Sequence, residues 1–335
     1  MLGRGPDRAR ERAASSPRPP AGDTVADWKS VLRKAVMGLH LGGLYRLRDR
    51  LRRWDPRRLA REARFRRWNR DAGPDEMVVR PGLALRVDPR ARESFEWFCF
   101  RSPEMAREMD AFVRQMRQRR RFLDLGACHG IFSLAFAHGR PEALALAIEP
   151  SRPAHEILAA NAAAQGLANI LPRQIACGAA AGTLRMRQVW HHLEAVPGDE
   201  PLGAAEAGSA AAAAGKPPAP GPAEEGEVIA APMSTVDALC VEMDFQPDLV
   251  KIDVEGYELE VLLGARNTLE RHHPPLFLEL HPDRLRQLGH SPAEVVRLLE
   301  GLGYTFSKLS GAALTARQVA RLRSVSRLAC AASPS

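Results

Sequence analysis

The 335-residue sequence is poor in aromatic residues, at 6 %, and in lysine, which supplies only residues 29, 34, 216, 251 and 308 of its 48 basic positions. Arginine and alanine are heavy in every segment, so arginine content is a compositional habit and the formal charge of +8 is weak evidence for nucleic-acid binding. Five cysteines, at 99, 128, 177, 240 and 330, are odd in number and scattered, with no C-x-x-C pair and no histidine at metal spacing. That argues against a disulfide framework and structural zinc, and points to a reducing compartment. There is no run of about 18 apolar residues to span a bilayer. The opening "MLGRGPDRARERAASSPRPP" lacks the apolar core of a secretory signal. The expected location is cytoplasmic. No internal repeat is visible.

The charge that is present is unevenly placed. Residues 1–72 carry 20 basic against 8 acidic side chains, and the remainder carries 28 against 32. The body is therefore mildly acidic, and nucleic acid is not its expected partner. Residues 1–24 read as a disordered basic tail. Residues 25–76 read as a basic amphipathic helical extension: Trp28, Val31, Leu32, Ala35, Val36 and Leu39 recur at helical spacing, and residues 44–68 continue the style, broken at Pro56. The plainer reading is a solvated arm. The sharper one is a peripheral membrane or other anionic partner met along residues 27–70.

From residue 77 to 335 the chain reads as one domain. "MVVRPGLALRVD" predicts a hairpin turning at Pro81 and Gly82, and "SPEMAREMDAFVRQM" a helix capped by Ser102. Apolar runs then alternate with helical segments, which predicts an α/β fold with a doubly wound, mostly parallel sheet. Residues 195–226, rich in Ala, Gly, Pro and Glu, interrupt that rhythm as a disordered insertion, with "TLRMRQVW" and "EVIAAPM" on either side pairing as an edge hairpin.

Two places carry chemistry. After the strand "RFLDLGA" comes a turn containing Asp124, Gly126, Ala127, Cys128, His129 and Gly130, and Glu149 ends a second strand 23 residues beyond Gly126. A glycine turn followed by an acidic strand end suits a nucleoside cofactor, the carboxylate accepting bonds from ribose hydroxyls. A dinucleotide fingerprint would need glycine at 128 and 131, where Cys and Ile stand. Asp124 would repel a pyrophosphate but pair with the ammonium of a methionine moiety, which favours S-adenosylmethionine. The plainer alternative is a tight turn and a solvated strand end.

The second place is "LVKIDVEGYELEVLLGA", residues 249–265, where an apolar run stops at Asp253 and Glu255. Ligands of open parallel sheets bind beyond the carboxyl ends of the strands. Asp253 is the candidate for organising the substrate or the methionine moiety, and Glu255 for base or substrate contact. The next strand ends at Glu279 and His281. His281, with an ordinary pKa of about 6.5, is the natural general base. These groups could instead gather a divalent metal, a reading not favoured over base catalysis. Lys251, in phase with Asp253, is a candidate partner for one of the carboxylates, in a structural or a functional role.

"FLDLGACHGIFSLAFA", "LAIEPS", Asn161, "LVKIDVEGYELEVLLGA" and "PPLFLELHP" together resemble the FkbM-type methyltransferases over about residues 83–308. The resemblance implies a Rossmann-like sheet of seven strands and an S-adenosylmethionine-dependent O-methyltransferase acting on a hydroxyl of a sugar, polyketide or lipid-linked molecule. It implies that Asp124, Gly126, Ala127 and Gly130 hold the methionine end of the cofactor and Glu149 the ribose, with Cys128 in the same cofactor-binding turn. One departure stands out: Cys128 occupies a position where the family commonly has asparagine. The rivals are an RNA methyltransferase gripping phosphates with its basic arm and a catalytically silent binding module.

Overall fold

The computed structural model describes residues 56–189, 192–196 and 226–332. The tail 1–24, residues 25–55 of the helical extension and residues 197–225 of the insertion lie outside them. A helix over Pro56–Trp68 begins where Pro56 was expected to break the arm. It is followed by β1 (Glu76–Arg80) and β2 (Leu83–Arg86), the expected antiparallel hairpin, with Gly82 at φ +78° in its turn. Phe65 of the helix packs on Phe100 at a centroid distance of 4.7 Å and joins Met77, Leu85 and Phe95 in one core. The Asn69 side chain accepts from Val78 N at 2.7 Å and donates to Val78 O at 3.1 Å. One aromatic and one amide thus tie the described part of this basic segment to the hairpin that follows, within the compact unit Arg57–Ser335.

The first half of the main sheet is β3 (Arg121–Leu125), β4 (Leu144–Ile148) and β5 (Ile170–Arg173). A separate sheet follows, formed by β6 (Ala176–Cys177), β7 (Gly182–Val189), β8 (His192–Ala195) and β9 (Val228–Ser234) in the order β6-β9-β7-β8. The two segments expected to form an edge hairpin do pair, as β7 and β9, but they belong to this second sheet because β6 offers β9 a parallel partner. The main sheet resumes with β10 (Leu249–Ile252), β11 (Leu276–Leu280), β12 (Tyr304–Lys308), β13 (Ala313–Leu314) and β14 (Ser326–Ala332).

Its order is β13-β12-β14-β11-β10-β3-β4-β5, with β13 and β14 antiparallel to the other six. The expected count of seven becomes eight because a turn at Gly311, φ +88°, folds two residues back onto β12. Side chains alternate between faces along each strand. Leu123, Leu125, Val250, Ile252 and Leu278 fill one core; Phe122, Leu249 and Phe277 fill the other. In the second core Phe112, from the Ser102-capped helix Pro103–Met116, meets Phe122, Phe132, Phe136 and Phe277 at centroid distances of 4.9 to 6.5 Å. Burying each such ring contributes about 1.5–3 kcal/mol. Among the described residues no helix is long and apolar enough to cross a membrane.

Strand order reverses between β3 and β10. Connections leave these neighbours in opposite directions along the sheet and open a crevice at their carboxyl ends.

Candidate active site

β3 ends at Leu125 and its turn leans on β4: Gly126 N and Ala127 N both donate to Ile148 O, at 3.0 and 2.9 Å. Glu149, just past β4, holds the turn from the side, its Oε2 accepting from Cys128 N at 2.7 Å and its Oε1 from Ser151 N at 2.8 Å. Each oxygen keeps a lone pair for a further donor. Burial pushes the Glu149 carboxyl up to about 7, against these two bonds. Asp124 is buried on the β3 face toward the helix Ile131–Ala137, with Oδ2 accepting from Ser133 Oγ at 2.7 Å and Oδ1 buried without a hydrogen-bond partner. Burial pushes it up to about 6. Neither Asp124 nor Glu149 forms an ion pair among the described residues.

The glycines have a different use from the one expected. A Cβ on Gly126 would lie 1.8 Å from Asp253 O, and one on Gly130 would lie 2.2 Å from Leu158 Cδ1. Their missing side chains make room for protein: Gly126 lets the β3 turn abut the end of β10, where Asp253 N donates to Leu125 O at 3.0 Å. Cys128 sits at φ +50° in the left-handed region, where asparagine is at home and cysteine is strained. Asn161 supports the same turn, its amide donating to His129 O at 2.9 Å while its Oδ1 accepts from Asp88 N.

On the other side of the reversal every carboxylate meets a cation. β10 ends at Ile252, so Glu255 does not continue the strand; it lies in a turn at φ +54°. Lys251, only 2 % exposed, reaches Asp253 Oδ2 at 2.8 Å and lies 4.8 Å from the Phe132 ring centroid. Burial would raise the Asp253 carboxyl, but the Lys251 ammonium and the His281 ring hold it well below the usual range. His281 Nδ1 binds Glu258 Oε1 at 2.7 Å and its Nε2 binds Glu255 Oε2 at 3.0 Å. Burial opposes charging the ring, yet those two bonds push its pKa up to about 11. Glu255 also pairs with Arg284, which reaches Glu194 on β8 at 2.6 Å. Glu279 pairs with Arg327 of β14, and Arg327 binds the buried Glu108 of helix Pro103–Met116 at 3.0 Å.

Asp124, Gly126, Ala127, Cys128, Gly130 and Glu149 are thus gathered on one side of the crevice, and Asp253, Glu255 and His281 on the other. Two expected roles are met by paired groups. The Glu255 and Glu258 carboxylates bound to both nitrogens of His281 favour its charged ring, which disfavours it as a general base. Glu255, bound to two cations through one oxygen, is held in place and is a poor base as well. Asp253, 19 % exposed at its side chain against 22 % for Glu255, forms an ion pair with Lys251 alone among the described residues.

Sequence reasoning missed Glu258 as a partner of His281, and missed Arg284, Arg327 and Glu108. Glu108 left a signal, a charge within the apolar stripe of Met105, Met109, Phe112 and Met116. Arg327 left none. Asp253, Glu279 and His281 offer one ligand atom each within 4.8 Å of one another. Lys251 and Arg327 already bring positive charge to one oxygen of each carboxylate, while Glu279 Oε2 is buried without a hydrogen-bond partner.

Comparison with known proteins gives a family match: the Methyltransferase FkbM domain, over residues 124–306. No curated protein matches the chain. Among solved structures, the methyltransferase FkbM of Methylobacillus flagellatus KT is 18 % identical, with a TM-score of 0.35, covering 63 % of this chain and 43 % of that one. This chain therefore spans less than half of that protein. A SAM-dependent methyltransferase of Agrobacterium tumefaciens is 12 % identical, with a TM-score of 0.39 and coverage of 77 % and 69 %. An 11 % identical putative O-methyltransferase of Klebsiella pneumoniae has a TM-score of 0.35 and coverage of 70 % and 81 %.

Proposed function

The chain belongs to the FkbM family of S-adenosylmethionine-dependent methyltransferases, and from that premise we propose that it methylates a hydroxyl oxygen of a small or glycosylated acceptor: a sugar, polyketide or lipid-linked molecule. The observation that carries this reading is the pair of carboxylates without ion-pair partners, Asp124 and Glu149, at the strand reversal, with Asp124 Oδ1 buried and unbonded. Such a donor set suits a ligand that brings its own positive charge and hydroxyl donors. Asp124 with the 126–130 turn would hold the methionine part and Glu149 the ribose. When bound, S-adenosylmethionine supplies the methyl group as a sulfonium electrophile.

The remaining work falls to this chain. Asp253 accepts the hydroxyl's hydrogen bond and then its proton. Held at low pKa, it is a weak base, but an alcohol oxygen becomes strongly acidic as its new bond to carbon forms, so the transfer runs downhill. Lys251 fixes the Asp253 carboxylate in place, and the Glu255, Glu258 and His281 lattice orients the turn that bears it. Residues 73–335, with 28 basic against 32 acidic side chains, fit a small acceptor better than a nucleic acid.

Calorimetry of the full chain with S-adenosylmethionine, followed by an acceptor screen with methyl-labelled cofactor, tests the reading. Cofactor binding and label on an acceptor oxygen are expected. Absence of binding heat would leave the silent module in its place.

A further inference from the structure

The helix Pro56–Trp68 buries one residue, Phe65, and turns its opposite side outward. At about 3.6 residues per turn, Leu59, Ala60 and Ala63 fall together on that outward side, with Arg66 along one border and Arg64 and Arg67 along the other. All six are exposed, Leu59 by 45 %. The face is thus apolar along its middle and cationic at its edges. At one edge the half-buried Trp68 lies beneath the Arg64 guanidinium, 5.3 Å from its ring centroid.

Arginine is common throughout the chain, so its number decides nothing; its balance and its placement do. Residues 57–70 hold seven arginines against one acid, Glu62, which already pairs with Arg66 at 2.6 Å. From residue 73 onward acid is in excess. Arg64, Arg67 and Arg70 are exposed and form no ion pair among the described residues. The helix is also firmly mounted: besides the Phe65–Phe100 contact and the Asn69 bonds, Arg61 Nε donates to Phe100 O at 3.2 Å. A lone exposed leucine is ordinary on any protein. One at the centre of an arginine-bordered helix face is different, because a nucleic acid would offer that leucine nothing, whereas an anionic bilayer offers hydrocarbon to the middle of the face and phosphates to its edges.

We propose that this face docks on an anionic phospholipid bilayer, with the helix in the plane of the headgroups, Leu59, Ala60 and Ala63 turned into the membrane and Arg64, Arg66 and Arg67 on lipid phosphates. The inference stands apart from the methyl-transfer reading and needs no particular acceptor. It does bear on the crevice. Phe95, in the helix Arg92–Glu96, shares a core with Phe65, and Ser94 Oγ of that helix lies 2.8 Å from His129 Nδ1 in the 126–130 turn. Docking by this face therefore sets how the crevice is presented to the bilayer.

The test is co-sedimentation of the full chain with vesicles of phosphatidylcholine, alone or mixed with phosphatidylglycerol, and with a mixed-sequence single-stranded RNA as the competing polyanion. Binding is expected to the mixed vesicles and not to phosphatidylcholine alone. Arg64→Glu with Arg67→Glu should weaken it about tenfold or more. Leu59→Ser, which changes no charge, should weaken it about threefold or more. Thermal unfolding should stay unchanged in both variants. An environment-sensitive fluorophore on Leu59→Cys, the native cysteines being buried or half-buried, should shift to the blue on the mixed vesicles and so report this helix separately from the basic residues before it. Equal binding to both vesicles, wild-type binding in the charge-reversed variant, or an unshifted label would overturn the proposal. So would a preference for RNA that is indifferent to Leu59→Ser, which would give the face to a nucleic acid.

Discussion

The two sides of the crevice treat negative charge in opposite ways. At β3 and β4, Asp124 and Glu149 are bonded to neutral donors, a serine hydroxyl and two backbone N–H groups. At β10 and β11, Asp253, Glu255 and Glu279 each face lysine, histidine or arginine. A carboxylate hydrogen-bonded only by neutral groups keeps much of its appetite for a cation, even where Lys251 on the neighbouring strand acts on Asp124 through space; one already paired is fixed in geometry. On the proposed reading the first side takes the charged ligand, and the second is a prearranged framework in which Asp253, paired with Lys251, meets the acceptor.

The sharpest way to break this contrast is Asp253→Asn. Turnover should fall about a hundredfold or more, and stranding the buried Lys251 should cost up to about 3–5 kcal/mol of stability. Adding Lys251→Met should recover much of that stability in urea unfolding and none of the turnover. Recovery of both would reduce Asp253 to a structural partner of Lys251. Asp124→Asn should do the reverse. Losing one charge-assisted bond of about 1.5–3 kcal/mol weakens cofactor binding tenfold or more, while stability at pH 8 holds or rises, because a buried charge without an ion pair has gone.

Acidity separates the two sides further. Both Asp124 and Glu149 have pKa values raised, to about 6 and about 7, so a cationic ligand binds with release of protons. Cofactor affinity should fall as pH drops from 8 to 5, and the Asp124→Asn, Glu149→Gln double variant should lose that dependence. His281, raised to about 11, contributes stability that is fully present below its ordinary value of about 6.5 and declines to nothing as pH rises through about 11. Urea unfolding of His281→Gln should therefore lack the wild-type loss of stability across that alkaline window. A smaller effect is expected at the turn. Cys128→Asn should stabilise the protein by about 0.5–1 kcal/mol in thermal unfolding, because asparagine tolerates the left-handed backbone.

Much of this arrangement was legible beforehand wherever a carboxylate interrupted an apolar run. Asp124, Glu149 and Asp253 stood out in this way, and the alternation of runs and helices gave the doubly wound sheet that sets them side by side. The charge on His281 was not legible. It depends on Glu258 and on Glu255, which reaches the ring from a left-handed turn where the strand was expected to continue. Nor was the link from Glu108 to Arg327, which spans 219 positions and exists only because an antiparallel strand inserts between β11 and β12. Periodicity reports which face a residue takes within its own element. It carries no information about which distant element closes over that face.

The space beside Gly126 is filled by the Asp253 carbonyl. The two lips of the crevice are in effect dovetailed through backbone atoms, with no side chain between them to act as a cushion. A shift of one lip must carry the other with it, so the site opens as a unit, and enlarging residue 126 by even a methyl group would prise both lips apart together.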